Sequence, residues 1–107
     1  MRKRNKYGAI SVKVDGHFFP STAEARRYGE LKLLEKAGKI RGLRLQPQFP
    51  LFVNDHLICS YRGDFQFEEA PEWKLIVEDV KGFKTAVYML KKALLKATQG
   101  IEIREVR

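Results

Sequence analysis

The chain has 107 residues, 44% of them hydrophobic, which suits one domain with a small core. Its 21 Lys and Arg against 13 Asp and Glu give a net charge of +8. No apolar run approaches the ~20 residues that span a bilayer, and the single cysteine, Cys59, excludes an internal disulfide and a cysteine-rich zinc site.

The charge is unevenly spread. Residues 1–44 hold 12 basic and 4 acidic side chains, residues 45–80 hold 2 and 7, and residues 81–107 hold 7 and 2. Basic ends suggest a polyanion partner such as nucleic acid. An acidic centre suggests a divalent cation between protein and phosphate. Scattered surface charge on a soluble basic protein is the plainer alternative.

Residues 1–7 read as a flexible basic arm ahead of one domain over 8–107, with Arg2, Lys3 and Arg4 placed to track a nucleic-acid backbone. No hydrophobic signal segment follows, so a cytoplasmic location and no membrane contact are expected. Residues 9–19 alternate around Asp15-Gly16, a strong hairpin signal. His17 beside the turn reads as a surface residue. Ser21-Thr22-Ala23-Glu24 then opens a helix that runs to about Ala37 and stops at Gly38. Glu24, Tyr28, Leu31 and Glu35 share its core-facing side, and Leu33 lies opposite. Glu24 has two competing uses: closing the capping box with Ser21, or acting as a carboxylate in a site.

Residues 43–53 read as one extended segment, with Pro47 and Pro50 marking an edge or a bulge. Asn54-Asp55-His56 is a turn. Residues 57–67 read as a second strand, on which Tyr61, Gly63, Phe65 and Phe67 share one parity and Arg62, Asp64 and Gln66 the other. Cys59 is expected to be a small buried hydrophobe. Glu68 to Glu72 is a polar turn, and residues 73–80 form a third strand that ends in Glu78-Asp79-Val80-Lys81. A buried strand that ends in charge is unusual, because an unpaired buried ion costs several kcal/mol. Alternation puts Asp79 and Lys81 on one face and Glu78 on the other. Asp64 has three competing readings: a turn residue, a solvent-face residue of a half-exposed strand, or the partner of Asp79 across a strand–turn–strand hairpin. Thr85 caps a second helix over about 86–97, with Ala86, Leu90, Ala93, Leu94 and Ala97 as its apolar stripe. Residues 101–106 alternate as a last strand.

The fold class expected is therefore α/β (α+β), a single domain with a core of order α-β-β-β-α-β preceded by a β-hairpin. With Phe19-Pro20-Ser21-Thr22-Ala23-Glu24, Gly63-Asp64-Phe65 and Val77-Glu78-Asp79-Val80-Lys81-Gly82, the chain resembles the PD-(D/E)xK nuclease superfamily, in particular a group of small phage and prophage proteins. The resemblance covers about residues 14–106. It implies a restriction-endonuclease-like core, with Asp64 and Asp79 as metal ligands, Lys81 at the attacking water and scissile phosphate, and Glu24 as the first-helix acid. It departs from the superfamily pattern in having Gly63 where the nominal proline stands, and Asp rather than Glu at 79. It further implies Mg²⁺, with Mn²⁺ as a substitute, and a homodimeric endonuclease acting on branched, nicked or Holliday-junction DNA. Lys84, Tyr88, Lys91, Lys92 and Lys96 would then contact the DNA backbone. A non-catalytic DNA-binding protein on the same fold is the alternative. An RNA-binding module is less favoured, because no aromatic RNP-type strand motif is present.

Overall fold

The computed structural model describes residues 2–4 and 10–107, with side chains from Ser11 onward. Asp15 and Gly16 both take left-handed backbone (φ 52° and 80°), as a two-residue hairpin turn demands. Ile10–Val14 (β2) accordingly folds back on His17–Phe19 (β3). Arg2–Arg4 (β1) pairs antiparallel with the other edge of β2. Part of the expected free arm is thus a strand, because the open edge of β2 offers backbone N–H and C=O groups to pair with. Met1 and residues 5–9 lie outside the described residues.

Helix α1 spans Thr22–Lys36. Ser21 caps it by accepting the Glu24 N–H at 3.1 Å, and Gly38 follows with φ 76°. Ala25, Tyr28 and Leu31 are its buried side chains, and Leu33 is exposed, as expected. The chain continues through Ile40–Leu45 (β4), Gln48–Val53 (β5), His56–Arg62 (β6), Phe65–Glu69 (β7), Lys74–Val80 (β8), Ala86–Gln99 (α2) and Ile103–Val106 (β9).

Strands β4, β7, β8 and β9 form the central sheet in that order, antiparallel except for the parallel β8–β9 pair across α2. The α-β-β-β-α-β order holds within this sheet. Its strands, however, are not the segments read from the sequence. Residues 43–53 divide between β4 and β5, and residues 57–67 between β6 and β7, with β5 and β6 forming a separate two-stranded ribbon. The chain leaves the central sheet at Gln46-Pro47 and returns at Gly63-Asp64. Backbone bonds tie the two crossings: Gln46 N–H donates to Asp64 O at 2.9 Å and Gly63 N–H to Pro47 O at 3.0 Å. Gly63 packs tightly there: a Cβ would stand 3.1 Å from Val77 Cγ1, which would have to give by a few tenths of an ångström.

The sheet carries a core on each face. Phe65, Phe67 and Ile76 pack with Tyr28 and Leu31 of α1 and with Phe19. Val77 and Ile103 pack with Tyr88 and Leu95 of α2 and with Leu51 and Tyr61 of the ribbon, with Cys59 partly buried against them. The expected stripe on α2 is largely on the wrong side. Ala86, Leu90, Ala93 and Ala97 are exposed, and Tyr88 and Leu95, seven residues apart, face the sheet. The more apolar side of this helix, with Val87, Met89 and Leu90, is the exposed one, so periodicity pointed away from the face the sheet covers. No helix among the described residues is long and apolar enough to cross a membrane. The molecule is an α+β domain.

Candidate functional site

The last residues of β8 set the site. Glu78 and Asp79 are both buried, at 0% and 3% exposure, although neighbouring strand residues point to opposite faces. Burial of two adjacent carboxylates demands two separate sets of partners.

On the α1 face, Arg27 grips Glu78 in a bidentate pair, Nε to Oε1 at 2.8 Å and Nη2 to Oε2 at 2.6 Å. Arg104 of β9 adds its charge at 3.9 Å and is itself held by Glu69 at 2.9 and 3.0 Å. The fork of the guanidinium matches the carboxylate, which is the strongest form such a pair takes. Glu78 therefore faces away from Lys81, as strand parity requires.

On the α2 face, Asp79 Oδ1 meets Lys81 Nζ at 3.3 Å, and Oδ2 accepts the Tyr61 hydroxyl at 2.5 Å. Burial and the neighbouring Asp79 charge push the Tyr61 hydroxyl far up, so it remains the proton donor of that bond. Lys81 Nζ also lies 4.4 Å from the centre of the Tyr88 ring. Its backbone N–H is fixed to Val106 O at 2.9 Å, so the parallel strand β9 sets where the lysine leaves the sheet.

Asp64 arrives from the β6–β7 crossing, between the strands and not within one. Its Oδ2 accepts the Val80 N–H at 2.7 Å, and its own N–H donates to Glu78 O at 3.0 Å. Burial pushes its carboxyl up to about 7 against the Val80 bond, and the charges of Glu24 and Asp79 add to the rise. Glu24 comes from the first turn of α1. Its carboxyl is raised by burial, lowered by Ser21, and raised again by Asp79. Glu24, Asp64, Asp79 and Lys81 thus lie in one another's field, as the resemblance implied.

Glu24 Oε1 lies 3.3 Å from Ser21 Oγ, so its side chain turns toward the helix cap, while its carboxyl also feels Asp79 and Asp64. Among the described residues, no group of three or more His, Cys, Asp or Glu side chains is placed to hold a metal ion by itself. The expected three-carboxylate ligand set of Glu24, Asp64 and Asp79 is therefore not assembled. Two carboxylates still suit Mg²⁺, which keeps several waters and takes phosphate oxygens rather than filling an all-protein cage. Three acids beside one lysine also leave an excess of negative charge that a divalent cation would neutralise.

The proposed backbone contacts are scattered. Tyr88 is buried, and its hydroxyl donates to Glu105 Oε2 at 2.7 Å, so it is not a surface contact. Its large apolar ring is used in the core beneath Lys81 instead. Lys84 and Lys92 both reach Glu105, at 2.9 and 3.0 Å, and Lys96 reaches Glu102 at 3.0 Å. Of these pairs only Lys96–Glu102 is largely solvated, while Glu105 is half-buried between Lys84, Tyr88 and Lys92. Lys91 is half-buried. The side chains of Arg2, Lys3 and Arg4 lie outside the described residues.

Two residues of the site were not singled out from the sequence. Tyr61 was assigned only a parity, and Arg27 no role. The available signal for Arg27 was its place one turn after Glu24, on a helix face that must cover a buried acid. No curated protein and no solved structure matches the chain. Residues 4–107 match the family described as Protein of unknown function (DUF1064), and the chain belongs to that family.

Proposed function

We propose that this protein is a Mg²⁺-dependent DNA endonuclease of the PD-(D/E)xK type, acting in the cytoplasm on branched, nicked or junction DNA such as a phage replicates. The observation that carries the reading is the meeting of Asp79 and Lys81 at 3.3 Å, on the opposite face from Glu78, with Asp64 delivered beside them by a separate crossing.

Asp64 and Asp79 are the residues that would hold the metal. When bound, Mg²⁺ would lower the pKa of a coordinated water and offset charge on the phosphate. The chain's own groups then have distinct tasks. Tyr61 fixes Asp79 by occupying Oδ2, which leaves Oδ1 at the Lys81 side. The Val80 N–H fixes Asp64 in the same way. Lys81 Nζ donates to a non-bridging phosphate oxygen and stabilises the negative charge that grows there. Lys84, Lys92 and Lys96 exchange their carboxylate partners for backbone phosphates, and each such contact adds about one unit to the salt dependence of binding. A homodimer would present two such sites to two strands.

The test is incubation of supercoiled plasmid and four-way-junction DNA with Mg²⁺ or with EDTA. Cutting by the native chain in Mg²⁺, absent in EDTA and absent for Asp79→Ala, is expected. Equal, metal-independent traces from both proteins would refute the reading. The lack of a three-ligand group among the described residues favours the second reading, a DNA-binding protein without catalysis. On that reading Asp79→Ala leaves DNA affinity intact, and Mg²⁺ neither binds nor promotes cutting.

A further inference from the structure

We propose that a groove leading away from the acids takes an unpaired nucleotide next to the scissile phosphate, which makes single-stranded DNA at a fork, flap or junction the preferred substrate. The inference rests on the nuclease reading for its location, and on separate residues for its chemistry.

A cavity of about 280 Å³ opens between the β2–β3 hairpin and the Gln46–Asp64 crossing. Glu24 and Asp64 stand on its wall together with His17, Phe18, Leu45 and Gln46. A second cavity, of about 460 Å³, shares His17 and Leu45 with the first and is lined further on by Arg44 and Lys32. The two adjoin at His17 and Leu45 and run from carboxylates past an apolar and amide-bearing section to Arg44 and to Lys32, which Glu35 of the same wall holds at 2.9 Å.

The hairpin wall is held in place. The Tyr28 hydroxyl donates to Asp15 Oδ2 at 3.0 Å, and the His17 ring sits edge-on to Tyr28 and Phe19, with centroids 5.9 and 6.4 Å apart. Gln46 is fixed opposite by its N–H bond to Asp64 O, in a left-handed conformation at φ 52°. That backbone is uncommon for a residue other than Gly, Asn or Asp, and such residues concentrate at functional sites.

Size and chemistry select the occupant. About 280 Å³ is at the lower end of small-ligand sites, so the first cavity has room for one base with its sugar and not for a stacked pair. The Gln46 amide offers both a donor and an acceptor to a base edge. Leu45 supplies apolar contact for the base, while Arg44 meets the next phosphate. A base paired within a duplex cannot enter a pocket of this depth unless it is flipped out.

The experiment uses Asp79→Asn, in which cleavage is blocked, and reads fluorescence anisotropy of a labelled 12-nucleotide single strand and of the blunt duplex of the same sequence, in Mg²⁺. The single strand is expected to bind about tenfold tighter than the duplex. Adding Gln46→Ala is expected to weaken the single strand about tenfold and leave the duplex unchanged. The Gln46 side chain is exposed; Arg44→Ala, at the far end of the path, gives an independent check with the same expected direction. Equal binding of the two DNAs, or single-strand binding indifferent to both substitutions, overturns the proposal. Because binding is read without cleavage, its failure is distinct from a failure of the nuclease reading.

Discussion

Glu78 and Asp79 are neighbours on one strand, are equally buried, and are treated in opposite ways. Glu78 is saturated by a bidentate arginine and a second cation behind it, on the face covered by α1. Asp79 has a neutral hydroxyl and one lysine, and two further acids stand in its field. A carboxylate whose charge is already matched can hold elements together and do little else. A carboxylate left in excess of its cations is poised to accept one. The contrast separates the acid that builds the fold from the acid that offers chemistry, although their chain positions differ by one.

Substitutions can break or sharpen that contrast. The largest expected effect is on activity: Asp79→Asn should lower plasmid cleavage by about a thousandfold or more, the scale of losing a central electrostatic group. Its urea midpoint should stay level or rise, since a charge leaves an acidic cluster. Glu78→Gln should do the reverse. It strands Arg27, whose side chain is 19% exposed, and should cost about 3 kcal/mol in urea unfolding, at the lower end for a broken buried pair. Any fraction that remains folded should retain its cleavage rate. A Glu78→Gln protein of native stability with no activity would invert the assignment. Tyr61→Phe comes next. It leaves Asp79 Oδ2 without its donor and should cost about 1–3 kcal/mol, together with a measurable drop in kcat.

The smallest effect concerns Glu105, which pairs in register with Asp79 across β8 and β9. Lys84, Tyr88 and Lys92 hold its carboxyl down to about 2 from an ordinary 4.5. A lowered acid contributes stability that is full above its unfolded pKa and is lost as pH falls through the folded one. Melting temperature should therefore decline between about pH 4.5 and pH 2 more steeply for the native chain than for Glu105→Gln. Parallel curves would show that these pairs contribute nothing.

Local chemistry was legible along most of the chain. Asp15-Gly16 turned where it should, Ser21 and Thr85 capped the helices, and Gly38 and Gly100 ended them in left-handed backbone. The Asp79–Lys81 parity followed from the two-residue period of a strand. Sheet membership was not legible. Nothing in Leu45-Gln46-Pro47-Gln48 says that one extended run serves two sheets, because propensity reads conformation and not partner. The face of α2 failed for a related reason: the ribbon of β5 and β6, itself unread as a unit, decides which side is covered. The long-range partners Tyr61 and Arg27 lie 18 and 51 residues from the acids they serve, beyond the reach of any periodicity.

Calorimetric titration of Mg²⁺ into the native chain, Asp64→Asn and Asp79→Asn addresses the central claim most directly. Saturable binding by the native chain that disappears in both variants, while Glu105→Gln binds normally, is the result expected of a cation site built from Asp64 and Asp79. No heat from the native chain, or binding that survives both substitutions, would contradict it.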